Sequence, residues 1–332
     1  MEISGANLSA LFTSWDLVFQ RAFDAYPSYW TDISTVTRST TKRQEYPWMK
    51  RTIAMREWLG QRVLQALEVN DFSILNKHFE ATEAIDRDDL EDDLQGVYAP
   101  MISELGRLTG VHPDLMIFGT VRAALASIDN PSAPAYNLAD LSIPTPVCYD
   151  GVTLFSANGH PVGKAGATTL VPNVDTSGGS NPYWLLIDAS RAVRPFLYQI
   201  RKAYEAVHMV APTDEYVFNN RQYRYGVDGR DAAGPGLWQL VRASNADLTP
   251  DNFGAQKAAM REIKNDNGLP FGAWAGASQK QRYLVVPPAL EDQAERLLHQ
   301  EWGPGEGANA ATPQKNIFYN TAQLIVSEYL SI

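Results

Sequence analysis

Hydrophobic residues recur at three- and four-residue spacing near the beginning of the chain. Between Leu8 and Tyr26 this spacing predicts an amphipathic helix, which Pro27 ends. Residues 31–41 are polar with short side chains, so they are expected to form an extended arm or loop. Residues 51–67 show mixed signals without a clear cap, and the pattern leaves their structure open.

The clearest helix start lies at an acidic run. In Asp86-Arg-Asp-Asp-Leu-Glu-Asp-Asp, carboxylates gather where the helix dipole is positive. Apolar positions continue the helix to Gly110, where glycine predicts its end. A second helix is predicted from Pro113 to Ser127, and an irregular strand is predicted from Phe72 towards Asp86.

The second half of the chain alternates irregular stretches with short strands and helices. Residues 130–181 are rich in Pro, Gly, Ser, Thr and Asn, which predicts a long irregular stretch with one strand near 147–155. Glycines between Gly226 and Gly236 are expected in flexible loops. Strands are predicted at 183–187, 203–209, 283–286 and 323–329, and helices at 237–244, 250–264 and 289–300. The pattern predicts a mixed α+β chain without a βαβ rhythm.

Composition narrows the function classes. The 332 residues favour two packed regions, and 45% hydrophobic with 20% charged residues is typical of a globular protein. The sequence lacks a membrane-length apolar run and a basic leader, so the protein is expected to stay in the cytoplasm of the cell that makes it. Cys148, the single cysteine, excludes an internal disulfide framework. A net charge of -10 argues against a protein that coats DNA.

The acidic run is also the best candidate for catalysis. Carboxylates between Asp86 and Asp93 share a helix face and could hold the two metals of a hydrolase. The helix dipole explains them without an ion, and no nearby histidine completes a catalytic set. A metal-dependent hydrolase therefore stays as an alternative. Binding of a divalent metal that is lost when Asp89 and Asp93 are substituted would favour it. We otherwise expect no catalytic residue, no cofactor and no metal site.

Opposite charges follow one another along the chain. The region before the acidic run is distinctly positive, and such an arrangement favours docking of an arm of one subunit onto the next. The candidate subunit-contact residues are five cations and two acids: Arg38, Lys42, Arg43, Lys50, Arg51, Asp88 and Asp92.

Several sequence pieces, in the same order, resemble the Mu-like major head subunit family. In the first third these are Met55-Arg-Glu-Trp-Leu-Gly60, Asn76-Lys-His-Phe-Glu80, and Ile85-Asp-Arg-Asp-Asp-Leu-Glu-Asp-Asp93 followed by Gly96-Val-Tyr. Further along they are Cys148-Tyr-Asp-Gly-Val, His160-Pro-Val, Tyr183-Trp-Leu-Leu-Ile-Asp-Ala-Ser-Arg-Ala-Val-Arg-Pro and Leu284-Val-Val-Pro-Pro-Ala-Leu-Glu. Together they extend from about Trp48 to the end of the sequence.

The resemblance implies the HK97-type major capsid protein fold, an α+β fold with four named parts. It places an N-terminal arm at 1–34 and an E-loop region at 35–78. A peripheral domain is expected at 79–210, with a spine helix at 88–110, and an axial domain at 211–318. Residues 319–332 are expected to form a return strand to the peripheral domain.

The resemblance also implies a function. Members are major capsid proteins of Mu-like tailed bacteriophages, so we expect hexamers and pentamers of an icosahedral head that encloses double-stranded DNA without sequence-specific binding. The implied partners are further copies, a portal, and a scaffold or maturation protease, with assembly in the host bacterial cytoplasm and no membrane. No spacing identifies a cross-linking Lys and Asn pair, so a non-covalent shell is expected. A tail tube or head-decoration protein is the nearer alternative.

Overall fold

The computed structural model describes residues 5–46, 72–92, 96–138, 140–162, 169–211, 213–265, 269–303 and 313–331. In these ranges the α-helices are α1 (Gly5–Ala25), α2 (Trp30–Ile33), α3 (Arg87–Glu91), α4 (Tyr98–Ala126), α5 (Glu215–Asn220), α6 (Pro250–Arg261) and α7 (Glu291–His299). Predicted helices at 8–26, 250–264 and 289–300 are thereby confirmed as α1, α6 and α7.

Among the described residues, only β4, β11 and β12 are longer than five residues. In chain order they are β1 (Ser34–Arg38), β2 (Arg43–Glu45), β3 (Ser73–Leu75), β4 (Lys77–Asp86), β5 (Tyr136–Leu138), β6 (Leu141–Ile143), β7 (His160–Val162), β8 (Thr169–Val171), β9 (Val174–Asp175), β10 (Trp184–Asp188), β11 (Phe196–Met209), β12 (Gln222–Pro235), β13 (Val241–Ser244), β14 (Arg282–Val286), β15 (Trp302–Gly303), β16 (Gln314–Lys315) and β17 (Gln323–Val326).

Two sheets organise the fold. The first, here called the long sheet, has the order β1-β11-β12-β4, and its 14-residue strands β11 and β12 are antiparallel. The second, here called the five-stranded sheet, has the order β17-β14-β10-β13-β9. Its central strand β10 is buried at every residue, which fits the continuous apolar run of its sequence.

Helix α4 is longer than the sequence predicts. It begins at Tyr98 rather than within the acidic run, and it continues past Gly110 and Pro113 to Ala126. The predicted end at Gly110 is therefore wrong. Gly110 lies against α1, where an added Cβ would sit 2.9 Å from the Phe23 carbonyl oxygen. Glycine is needed there for close packing and not for a helix end.

Helices α1 and α4 pack together over two glycines of α4. An added Cβ at Gly106 would lie 2.5 Å from the carbonyl oxygen of Phe19, just as Gly110 lies under Phe23. The buried face of α1 carries Leu8, Phe12, Trp15 and Phe19, which join Ile102, Leu105 and residues at the far end of the long sheet in one hydrophobic cluster. The N-terminal arm expected at 1–34 thus includes a helix packed on its own subunit.

The second, larger hydrophobic cluster lies between the other half of α4 and the five-stranded sheet. It contains Met116 and Phe118 of α4, Trp184 and Leu186 of β10, and Phe253 of α6. Cys148 is buried in the same cluster. Because α4 contributes to both clusters, it connects them.

The structure differs from the prediction in two stretches of the second half. The glycine-rich residues 226–236 were expected to form loops, but most belong to β12, where an added Cβ at Gly229 would lie 2.5 Å from the Tyr204 ring. Residues 237–244 were expected to be helical, yet they form a short 3-10 turn and β13, because Val241–Ser244 pairs with β10.

Strand pairing crosses the expected domain boundaries. Strands from both sides of residue 211 pair in the long sheet and in the five-stranded sheet. The last strand, β17, pairs in parallel with β14 of the five-stranded sheet. In the ranges described, no helix has the length and apolar character to cross a membrane.

A buried carboxylate holds the segment after α1. Asp114 of α4 is 1% exposed and accepts hydrogen bonds from the backbone N–H groups of Tyr29 (3.1 Å) and Trp30 (2.7 Å) at the start of α2. Burial raises the pKa of Asp114 from 3.8 to about 6, against the opposing effect of the two backbone donors. The attachment of this segment should therefore depend on pH.

We expect Gly106→Ala to destabilise the subunit by about 1–3 kcal/mol, because the added methyl forces α1 away from α4. In a free helix the same change would stabilise by about 1 kcal/mol. Guanidinium unfolding of dissociated subunits measures the difference. Gly276→Ala is the control, since apart from its two chain neighbours no described residue has an atom within 4 Å of its added Cβ. A gain in stability at Gly106 would contradict the close helix contact.

We expect the stability difference between the wild-type subunit and Asp114→Asn to fall as pH rises. The folded pKa of Asp114, about 6, is above the ordinary 3.8, so its stabilising contribution is full below pH 3.8 and is lost through pH 6. The difference should shrink by about 3 kcal/mol between pH 3 and pH 8. Unfolding curves at several pH values measure it, and a flat difference would contradict the raised pKa.

Candidate subunit-contact surface

Three of the five predicted cations lie in one exposed turn. Arg38 ends β1, Lys42 lies in the connection, and Arg43 begins β2, and all three side chains are exposed. We call residues 38–43 the basic turn. Lys50 and Arg51 lie outside the described residues. No ion pair is found for Arg38, Lys42 or Arg43 among the parts of the chain that are described, so their charges are available to a partner.

A buried polar network fixes the basic turn. The Nδ2 of Asn76 donates to the Oγ of Ser39 at 2.9 Å and to the carbonyl oxygen of Thr41 at 2.8 Å. Asn76 is 4% exposed, and its own N–H donates to the carbonyl oxygen of Lys42 at 3.0 Å. The turn therefore has a defined position at the beginning of β4 although its outer side chains face solvent.

Gln199 of β11 completes the network from the long sheet. Its Nε2 donates to the Oδ1 of Asn76 at 2.6 Å, and its Oε1 accepts from the hydroxyl of Tyr46 at 2.7 Å. Tyr46 follows β2 and contacts the Thr37 hydroxyl at 2.8 Å. Burial raises the pKa of Tyr46, so its hydroxyl stays a donor at neutral pH. Strands β2 and β3 are thus tied to the long sheet at the two ends of the predicted E-loop.

The acidic residues lie at the other end of β4. Asp86 caps α3 by accepting the N–H of Asp88 at 2.9 Å, which confirms the predicted helix start. Asp88 is paired with Arg221 of the same chain at 2.6 Å, and both side chains are more than 60% exposed. Asp92 is exposed, and no ion pair involves it among the described residues. Of the two predicted acids, Asp92 has the more accessible charge.

The basic turn and α3 are too far apart to contact each other within one subunit. The turn is held against Asn76, and the ten residues of β4 separate Asn76 from α3. An extended strand of that length covers roughly 30 Å. Attraction between these two surfaces therefore needs a second copy of the chain.

Three carboxylates of the acidic run have structural roles in the described part of the chain. Asp86 caps α3, Asp88 pairs with Arg221, and Glu91 pairs with Arg87 at 3.1 Å. Within the described ranges, no group of three or more His, Cys, Asp or Glu side chains is arranged to hold a metal ion. Asp93, part of the hydrolase hypothesis, lies outside those ranges.

The residues that fix the surface were not predicted. Asn76 belongs to one of the pieces that carry the family resemblance, which was the available signal. Its partner Gln199 lies 123 residues further along the chain, and Tyr46 lies in an unpatterned segment. Hydrogen bonds between such distant positions leave no periodic trace in one sequence.

We expect Asn76→Ala to destabilise the subunit by about 2–4 kcal/mol, because Gln199 and the carbonyl groups of the turn lose buried partners. Trypsin should also cut after Lys42 and Arg43 faster than in the wild type. Unfolding curves and mass spectrometry of the fragments measure the two effects. Asn220→Ala is the control, since among the described residues that side-chain amide bonds only to the carbonyl oxygen of Tyr216, on an exposed helix. Unchanged cleavage would show that the network does not hold the turn.

Comparison with known proteins identifies the family of the chain. The family model "Mu-like prophage major head subunit gpT" matches residues 8–330. The major capsid protein of Escherichia phage Mu is 35% identical over 99% of this chain and 100% of its own length. The Mu-like prophage FluMu major head subunit of Haemophilus influenzae is 32% identical over 97% of both chains.

Solved structures show the same similarity in three dimensions. The subunit in the procapsid of bacteriophage JBD30 superposes with a TM-score of 0.76 at 33% identity, covering 98% of this chain and all of that one. The subunit in the JBD30 capsid superposes with a TM-score of 0.70 at 27% identity over the whole of both chains. The fold predicted from the resemblance, an HK97-type α+β capsid fold, is confirmed. The chain belongs to the Mu-like prophage major head subunit family, the major capsid proteins of Mu-like phages.

Proposed function

We propose that copies of this subunit form hexamers and pentamers of an icosahedral head that encloses double-stranded DNA. The family membership carries the proposal, and the two separated charged surfaces support it. The basic turn of one copy contacts α3 of the next, so that Arg38, Lys42 and Arg43 lie near Asp88 and Asp92. Lys50 and Arg51 extend the same positive segment. An interface built this way is repeated around the whole shell.

The partners follow from the same assignment. A closed DNA-filled head needs an entry vertex, so we include a portal among the partners, together with a scaffold or maturation protease that controls assembly. The net charge of -10 favours enclosure of DNA without tight binding. Assembly takes place in the host bacterial cytoplasm, and the assembled subunits are part of the virion.

The subunit has a structural role and no catalytic one in this proposal. Three carboxylates of the acidic run, Asp86, Asp88 and Glu91, are engaged in capping and ion pairs within the subunit. Their remaining charge is directed at a neighbouring copy. The proposal therefore replaces the hydrolase alternative with an assembly function for the same residues.

Strand pairing suggests how the named parts of the fold are divided. We assign the long sheet, α1, α3 and the first half of α4 to the peripheral domain, and the five-stranded sheet with α6 and α7 to the axial domain. Both domains are then formed from separate stretches of chain, because β10 and β13 flank the long strands β11 and β12 in sequence. The paired strands β2 and β3 form the base of the E-loop.

Electron microscopy of the purified wild-type protein should show closed round particles. Reversing the charge of the basic turn with Lys42→Glu and Arg43→Glu should reduce their yield at least tenfold, and adding Asp92→Lys should restore part of it. Lys315→Glu on β16 is the matched control. Tubes or monomers from the wild type would contradict the head assignment, and full yield from the reversed turn would contradict the contact.

A further inference from the structure

A cavity of about 600 Å³ lies inside the subunit, away from α3. Residues of β2 and β3, of α4 and of the end of β12 line it, and the stretch from Ser142 to Tyr149 completes its wall. Small-molecule sites in proteins have volumes of roughly 300–1,000 Å³ and are lined mainly by apolar side chains with a few polar groups. The cavity has the size of such a site, so the nature of its walls indicates what it can bind.

The inner wall of the cavity is apolar. Ile74 of β3, Met116 of α4 and Cys148 line it, and these three buried side chains belong to the larger hydrophobic cluster. Ile143 of β6 is also buried and adds to the same wall. Because apolar surface gains free energy when it leaves water, a wall of this kind favours a hydrocarbon chain.

The charged groups of the cavity all have one sign. Arg43 of β2 and Lys77 of β4 line it, and among the described residues no carboxylate does. Arg43 and Leu75 are exposed, so the cavity is open to solvent beside them, whereas Lys77 is half-buried. In a chain with a net charge of -10, a lining with two cations and no acid attracts an anion.

Lys77 has hydrogen-bonding capacity left for such an anion. Its ammonium group has three N–H donors, and among the described residues one of them is used, by the carbonyl oxygen of Ser142. No ion pair joins Lys77 to another described residue. Burial lowers the pKa of Lys77, because the ammonium loses contact with water. A carboxylate beside this ammonium would accept the remaining N–H groups and offset the cost of its burial.

We propose that this cavity binds a single-chain fatty acid, with the carboxylate at Lys77 and the hydrocarbon chain along Ile74, Met116 and Cys148. Burial of the chain provides most of the affinity, and the ammonium group fixes the orientation of the ligand. The site lies within one subunit, so the inference does not depend on the proposed shell.

Calorimetric titration of unassembled subunits tests the class of ligand with decanoate, decanol and decylammonium. Decanoate should bind as one molecule per subunit and about tenfold more tightly than decanol, because only the carboxylate pairs with Lys77. Decylammonium should bind more weakly than decanol, since its charge is repelled. Equal affinities for acid and alcohol would overturn the assignment of an anionic ligand. Absence of decanoate binding would overturn the site and leave the proposed function standing.

A substitution tests the role of the ammonium group. Lys77→Gln should weaken decanoate binding about tenfold and leave decanol binding unchanged, while circular dichroism of the subunit stays the same. Lys315→Gln, on exposed β16, is the matched control and should bind decanoate like the wild type. Equal weakening of acid and alcohol by Lys77→Gln would mean that the lysine only shapes the cavity, which would overturn the proposed ion pair.

Photolabelling tests the position of the hydrocarbon chain in the wild-type subunit. A decanoate analogue with a diazirine at the end of its chain should label peptides that contain Met116 or Cys148, and excess decanoate should prevent the labelling. Mass spectrometry of the fragments locates the label. Labelling confined to peptides that do not line the cavity would overturn the assignment of this site.

Discussion

Burial of α4 in two separate hydrophobic clusters is the constraint on which the rest of the structure depends. Its first half contributes Ile102 and Leu105 to the cluster with α1 and the far end of the long sheet. Its second half contributes Met116 and Phe118 to the cluster with the five-stranded sheet. A helix of 29 residues is about 44 Å long, so it can serve both clusters without a break. Because burial of apolar surface is the main favourable term in folding, the relative position of the two sheets follows from this helix.

Sequence patterns predicted the elements whose reasons are local. The spacing in α1 and the apolar run of β10 each act within a few residues, and each produced the expected element. The carboxylates of the acidic run start only the short helix α3, and not the long helix that was expected to reach Gly110. The predictions for Gly110 and for the glycines of β12 were wrong because a glycine can mark either a turn or a close packing contact, and a single sequence does not distinguish the two. The contact that decides the case, with Phe23 of α1 or with the Tyr204 ring, involves a distant residue.

For the contact surface, too, the sequence predicted the local feature, the charges, but not their placement, which depends on distant residues. Charged residues in the basic turn and α3 were visible in the sequence because charge is a property of each residue alone. Their rigid placement comes from Asn76, Gln199 and Tyr46, which converge from three different segments. Exposed charges on flexible side chains give weak pairs in water, so the buried network, which fixes the turn beforehand, is what allows such pairs to contribute to assembly.

Strand β4, which forms one margin of the long sheet and carries Glu80 and Glu83, has a consequence for symmetry. If two copies met through the same edge, Glu80 and Glu83 of both would face one another, and repulsion between like charges would oppose that two-fold pair. Contact between unlike surfaces relates each copy to the next by a rotation that need not be two-fold. Repetition of such a contact forms a ring where the rotation closes and an open filament where it does not. Two carboxylates per subunit thus disfavour isologous dimers, which would end growth after two copies, and favour heterologous association.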